Sequence, residues 1–174
     1  MSQPPAGEKH SLWLMPRGDV YDRLSRVLKQ LSARYEAPEF SPHVTLLGGC
    51  VGPRRALIEK SERLASALRP FMIRLQEIDF LDEYYRCLFV RAGLTEPLRK
   101  AYFAASREFG QSHPPAFMPH LSLLYGDFSR DLKQGVKAEI GPRFDVQFKV
   151  RSLHLYRTHG DPRLWRRVAS FGLG

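Results

Sequence analysis

The chain has 174 residues, 43% of them hydrophobic and 26% charged, which excludes wholesale disorder or a fibrous repeat and suits one globular domain. The 27 Lys and Arg against 18 Asp and Glu leave a formal charge of +9, favouring anionic partners such as phosphates, nucleotides or RNA. Cys50 and Cys87 are too few for a disulfide scaffold or a thiolate metal site and read as reduced thiols. No segment approaches the roughly 18–20 apolar residues of a membrane span. No signal-peptide pattern is visible either, so cytoplasmic or nuclear residence is expected.

Residues 1–9 read as a flexible tail, and residues 10–174 as a single domain. A short strand is expected over 11–15, closed by Pro16 and Gly18, then a helix over 20–35 with Asp19 as N-cap. Its apolar stripe is Val20, Leu24, Val27, Leu28 and Leu31. A strand over 44–48, a helix over 54–68 and a strand over 71–81 complete the first half. The order then begins again, with a strand over 85–90, a helix over 96–109 and a strand over 120–125. A helix over 130–140, a long alternating strand over 144–156 and a last strand over 164–171 follow. Each half reads strand–helix–strand–helix–strand, a duplicated α+β unit with pseudo-repeats near 11–81 and 85–157.

The duplication is visible in the residues themselves. Pro42-His43-Val44-Thr45-Leu46-Leu47-Gly48-Gly49 aligns with Pro119-His120-Leu121-Ser122-Leu123-Leu124-Tyr125-Gly126 at an offset of 77. Ser11-Leu12-Trp13-Leu14 echoes Cys87-Leu88-Phe89-Val90 at an offset of 76. One long, consistent offset marks two pseudo-equivalent halves. Residues i and i+2 of a strand share a face. His43 and Thr45 therefore share one face with Val44 and Leu46 opposite, and His120 and Ser122 repeat the pattern. Packed about a pseudo-two-fold axis, the two His–hydroxyl pairs converge on one cleft.

Such a cleft suits a phosphodiester. Thr45 and Ser122 can donate to its non-bridging oxygens, while one imidazole takes a proton from the nucleophile and the other delivers one to the leaving oxygen. Histidine, with an ordinary pKa near 6.5, is matched to both tasks. A zinc site on His43 and His120 lacks the third protein ligand that catalysis wants, because His10, His113, His154 and His159 have no ligand spacing. No Gly-x-Ser-x-Gly elbow, P-loop or dinucleotide fingerprint occurs. No cofactor and no metal are therefore expected.

At these residues the sequence resembles the two-histidine (2H) phosphoesterase superfamily, and within it most nearly the plant and fungal cyclic nucleotide phosphodiesterases. Ser11 to Pro16, Ser41 to Leu46, Cys87 to Val90, Met118 to Tyr125 and Trp165 to Ala169 carry the likeness in the expected order. The resemblance implies a bilobal α+β fold, with two antiparallel sheets around a central cleft and helices outside. It also implies metal-independent hydrolysis of nucleoside 2′,3′-cyclic phosphates to 2′-phosphates, and of ADP-ribose 1″,2″-cyclic phosphate, a tRNA-splicing by-product, to the 1″-phosphate. Carried over, His43 and His120 are the catalytic pair, and Thr45 and Ser122 hold the phosphate. We favour His120 as base and His43 as acid, although pseudo-symmetry leaves the roles exchangeable. The plant pattern has more cysteines than the two found here, so disulfide control of the cleft is not implied.

Trp13, Phe89 and Tyr125 are candidate substrate-binding aromatics that could stack a base, or ordinary core residues. Arg54, Arg55 and the run from Arg163 to Arg167 read as solvated faces. The expected partner is a nucleotide or cyclic-phosphate small molecule, with RNA ends possible, no membrane and a monomeric chain. The alternatives are an RNA-end-processing 2H enzyme, like the 2′–5′ RNA ligases, and a non-catalytic nucleotide-binding module.

Overall fold

The computed structural model describes residues 7–111, 116–141 and 143–174. Residues 1–6 of the expected tail and His113 lie outside the described residues. The elements run β1 (His10–Leu14), α1 (Gly18–Arg34), β2 (Val44–Cys50), α2 (Arg54–Ala67), β3 (Phe71–Asp79) and β4 (Leu88–Ala92). They continue as α3 (Glu96–Glu108), β5 (His120–Leu124), α4 (Arg130–Ile140), β6 (Arg143–Val150), β7 (Ser152–Arg157) and β8 (Arg166–Gly172).

The strands lie in the order β6-β3-β4-β5-β2-β1-β7-β8, antiparallel throughout. Two four-stranded halves meet at the middle through the pair Val44–Leu121, so the two expected sheets are continuous as one curled sheet. One strand of each sequence repeat crosses over. β3 pairs with β4 of the second repeat, and β7 pairs with β1 of the first. The repeats are thus interlocked, and neither builds its sheet alone.

Alternation decides which face each strand presents. Leu12, Leu14, Val44, Leu46, Leu88, Val90, Leu121 and Leu123 enter the main apolar core. Trp13 joins a separate small cluster with Met15 and Tyr156 on the other face. The helices cover the core side. α1 buries Leu24, Leu28 and Leu31 at helical spacing and packs on β5 and β6, while α3 buries Leu98, Ala101, Tyr102 and Ala105 against β2 and β3. Ion pairs Arg34–Glu139 and Arg63–Glu108 tie α1 to α4 and α2 to α3. Both cysteines are free and buried, as a small apolar side chain would be.

Four sequence expectations need correction. The strand expected over 144–156 is two strands at opposite ends of the sheet. Its alternating burial stops at Val150, and the next strand is buried on both faces. The strand expected from residue 85 starts at Leu88, because Tyr84–Arg86 form a 3-10 turn. Likewise Pro162–Leu164 form a 3-10 turn, and the last strand begins only at Arg166. Asp19 lies in the first turn of α1 rather than at its N-cap, where Arg17 stands with no side-chain cap; its carboxylate still favours that helix end.

Gly126 ends the β5 segment at φ +151°, and a Cβ there would collide with the Phe128 ring. Gly135 lies inside α4 with open space around it. Gly126→Ala is therefore expected to cost about 1–3 kcal/mol and Gly135→Ala to gain about 0.5–1 kcal/mol. Opposite shifts in the denaturant midpoint check this pair; equal shifts would refute it.

Candidate active site

The Val44–Leu121 pair sets the geometry of the site. Extending an antiparallel register by one residue each way brings position 43 opposite 122 and position 45 opposite 120. Each histidine thus lies across from the hydroxyl residue of the other half. His43, Thr45, His120 and Ser122 all line one cleft of about 570 Å³ on the face away from the main core.

The two halves hold their imidazoles alike. His43 Nδ1 lies 2.7 Å from the Ser41 carbonyl oxygen, and His120 Nδ1 lies 2.8 Å from that of Met118. A carbonyl can only accept, so Nδ1–H donates in both rings and each neutral ring keeps its lone pair on Nε2. An aromatic on the neighbouring strand backs each ring. Trp13, which pairs with Thr45, stacks on His43 at 3.5 Å and 7°. Phe89, which pairs with Ser122, lies 5.1 Å from His120 with its ring tilted by 60°.

Burial dominates the electrostatics. It holds the His43 imidazole down at about 3, against the Ser41 hydrogen bond, and the charge of His120 pushes the same way. His120 is less buried. Its pKa is also lowered, first by burial and then by the Arg86 and Arg91 cations, with the Met118 carbonyl opposing. The effect of His120 on His43 is that of a like charge within a small shared volume.

The hydroxyls differ. The Thr45 hydroxyl has no hydrogen-bond partner among the described residues, so its proton is available to a ligand. The Ser122 hydroxyl donates to the Tyr85 carbonyl at 3.2 Å and also bonds the Tyr125 hydroxyl, whose pKa burial raises. Among the described residues no three His, Cys, Asp or Glu side chains gather at a common point.

Residues 19–162 match the family described as the 2′-5′ RNA ligase superfamily. The chain belongs to that superfamily. This 2H phosphoesterase is 22% identical over 167 residues to a cyclic phosphodiesterase of Arabidopsis thaliana, covering 92% of each chain. Its fold is similar to that of Escherichia coli LigT complexed with 3′-AMP, with a TM-score of 0.63, 15% identity and coverage of 95% of this chain and 98% of that one. It is also similar to Kluyveromyces marxianus Usb1, with a TM-score of 0.52, 13% identity and coverage of 95% and 99%.

Not every expected site residue of this 2H phosphoesterase meets the cleft. Trp13 lines it, but His43 and Tyr156 occupy its two faces, at 3.5 and 3.8 Å. No face is left for a base. Phe89 is fully buried and does not line the cleft; it supports His120 from below. Tyr125 does line the cleft, because β5 ends at Leu124 and frees it from strand parity. Its ring stacks on Phe40 at 3.9 Å.

The lining also includes Lys9, Tyr85, Arg86, His159 and Trp165, none of which sequence reading assigned to substrate. Tyr85 is 50% exposed and lies 5.9 Å from Trp165 with the rings 28° apart. Trp165 also meets Trp13 and Tyr125 edge-on, each at 5.8 Å. The sequence signals were the Tyr84-Tyr85 doublet and a tryptophan within an arginine run.

Because folding lowers the His43 pKa to about 3 from roughly 6.5 in an unfolded chain, the unfolded state binds the extra proton between those values. Stability is full above the unfolded value and is lost as pH falls through that window. His154, lowered by burial to about 4, acts in the same direction. The His43→Gln variant is expected to lose less stability than wild type between about pH 7 and pH 5. Urea melts at the two pH values measure this, and an unchanged difference would show that His43 titrates normally.

Proposed function

We propose that the protein hydrolyses 2′,3′-cyclic nucleotides, and ADP-ribose 1″,2″-cyclic phosphate, by acid–base catalysis between His43 and His120. One observation carries this reading: two imidazoles, each fixed through Nδ1 to the carbonyl two residues earlier, line a single cleft. The relative's name, cyclic phosphodiesterase, and the 3′-AMP and NADP+ bound by LigT support a nucleotide substrate.

In this mechanism the neutral Nε2 of one histidine accepts a proton from water as the water oxygen attacks phosphorus. The bond from phosphorus to the 3′-oxygen breaks, and the other histidine, charged at Nε2, donates its proton to that oxygen. Water is consumed, a 2′-phosphate and a 3′-hydroxyl form, and the proton count balances. His120 suits the base because its ring is the less buried of the two and so the more open to an attacking water. His43, with its pKa pushed to about 3, is the stronger donor once charged. The anionic substrate supplies the counter-charge that lets His43 take up this proton. Thr45 donates to a non-bridging oxygen, and Ser122 joins it by turning from the Tyr85 carbonyl. An RNA 3′ end bearing the same cyclic phosphate is the second reading, favoured by the +9 charge.

Alanine at His43 or His120 is expected to lower turnover of 2′,3′-cyclic AMP by at least about 10²-fold, with folding checked by circular dichroism. EDTA leaves the wild-type rate unchanged, and phosphorus NMR shows the 2′-phosphate. On a nucleotide 4-nitrophenyl diester, whose leaving group needs no proton, His43→Ala recovers more activity than His120→Ala. The reverse order would exchange the two roles, and full activity in both variants would remove them from catalysis.

Half-buried Trp165 and exposed Tyr85 are the cleft rings on which a base can stack, worth about 1–3 kcal/mol per base. Trp165→Ala is accordingly expected to raise KM about 5–100-fold while kcat changes little. Steady-state kinetics on 2′,3′-cyclic AMP test this, and an unchanged KM would remove Trp165 from base binding.

A further inference from the structure

A second cavity, also of about 570 Å³, adjoins the catalytic cleft, and the two share Trp13 and Trp165 in their linings. Pockets of about 300–1,000 Å³ hold drug-sized ligands, so one nucleotide can be housed in the cleft and a cyclic mononucleotide leaves the second volume unused. From this arrangement, and resting on the phosphodiesterase reading above, we infer that the second cavity is a subsite for another phosphate-linked nucleoside unit of the substrate.

The chemistry of the walls selects that class. Arg26 and Lys29, on one side of α1, line this cavity, are exposed and form no ion pair among the described residues. Arg163, from the 3-10 turn before β8, lines the same cavity and is ion-paired with Asp161 at 3.2 Å. Together they offer positive charge to a linking phosphate. Asp22 and Glu39 line the same cavity. Carboxylates accept hydrogen bonds from ribose hydroxyls and base amines but repel further anionic charge. A polyphosphate chain is thereby disfavoured, and a unit with one or two phosphates, a sugar and a base fits both signs. Trp165, at the border, can stack on either unit.

Two substrates share this chemistry: a dinucleotide RNA end and ADP-ribose 1″,2″-cyclic phosphate. The test compares kcat/KM of wild type and an Arg26→Glu/Lys29→Glu double variant on three compounds. These are 2′,3′-cyclic AMP, the dinucleotide ApA carrying a 2′,3′-cyclic phosphate, and ADP-ribose 1″,2″-cyclic phosphate. Wild type is expected to prefer at least one of the two larger compounds over cyclic AMP by about tenfold or more, and the compound preferred identifies the source. In the double variant that ratio falls towards one. Equal kcat/KM on all three compounds, or a ratio that survives charge reversal, overturns the subsite and leaves the phosphodiesterase reading standing. Absence of wild-type turnover on all three overturns both.

Discussion

Two imidazoles can address one anion here because the inner edges of two half-sheets are joined at Val44 and Leu121. That pair leaves both side chains in the core and turns their neighbours to the opposite face. A backbone pairing between apolar residues thus dictates where His43, Thr45, His120 and Ser122 stand. Disrupting it would move all four together. The crossing of β3 and β7 into the opposite halves reinforces it, since neither repeat can drift without unpairing strands of the other.

The price of this placement is electrostatic. Removing His43 from water makes its charged form unfavourable, and the same ring is pressed between the Ser41 carbonyl and the Trp13 face. A solvated histidine would keep its ordinary proton affinity and would rotate freely. The buried one is fixed in tautomer and orientation, and its charged form is disfavoured. In the proposed mechanism the chemistry is held ready by packing, with charge supplied by the ligand.

Pseudo-symmetry holds in the hydrogen bonds of the two histidines and breaks in their surroundings. Both Nδ1 atoms donate to the carbonyl two residues earlier. Yet Trp13 lies parallel to its histidine while Phe89 is tilted, and Thr45 is unbonded while Ser122 is held by Tyr85 and Tyr125. These differences suit two copies of one strand to the unequal roles proposed for them around one asymmetric ester.

The repeated His-x-Thr and His-x-Ser motifs, their strand parity and the α+β order were legible in the sequence, because period-two alternation and internal likeness are local properties of the chain. The helix over 130–140 is α4 as expected. Less legible were residues at strand starts. Tyr85 and Trp165 fell inside expected strands, and only the 3-10 turns Tyr84–Arg86 and Pro162–Leu164 bring them to the cleft rim. Trp13 and Phe89 were visible as a matched pair, but whether their faces were free depended on Tyr156 and His120, distant in the chain. By itself, then, the sequence determined which side chains share a strand face and that two such faces exist. The tertiary structure alone decided which aromatics lie beneath the histidines and which remain open to a ligand, because that depends on contacts between segments far apart in sequence.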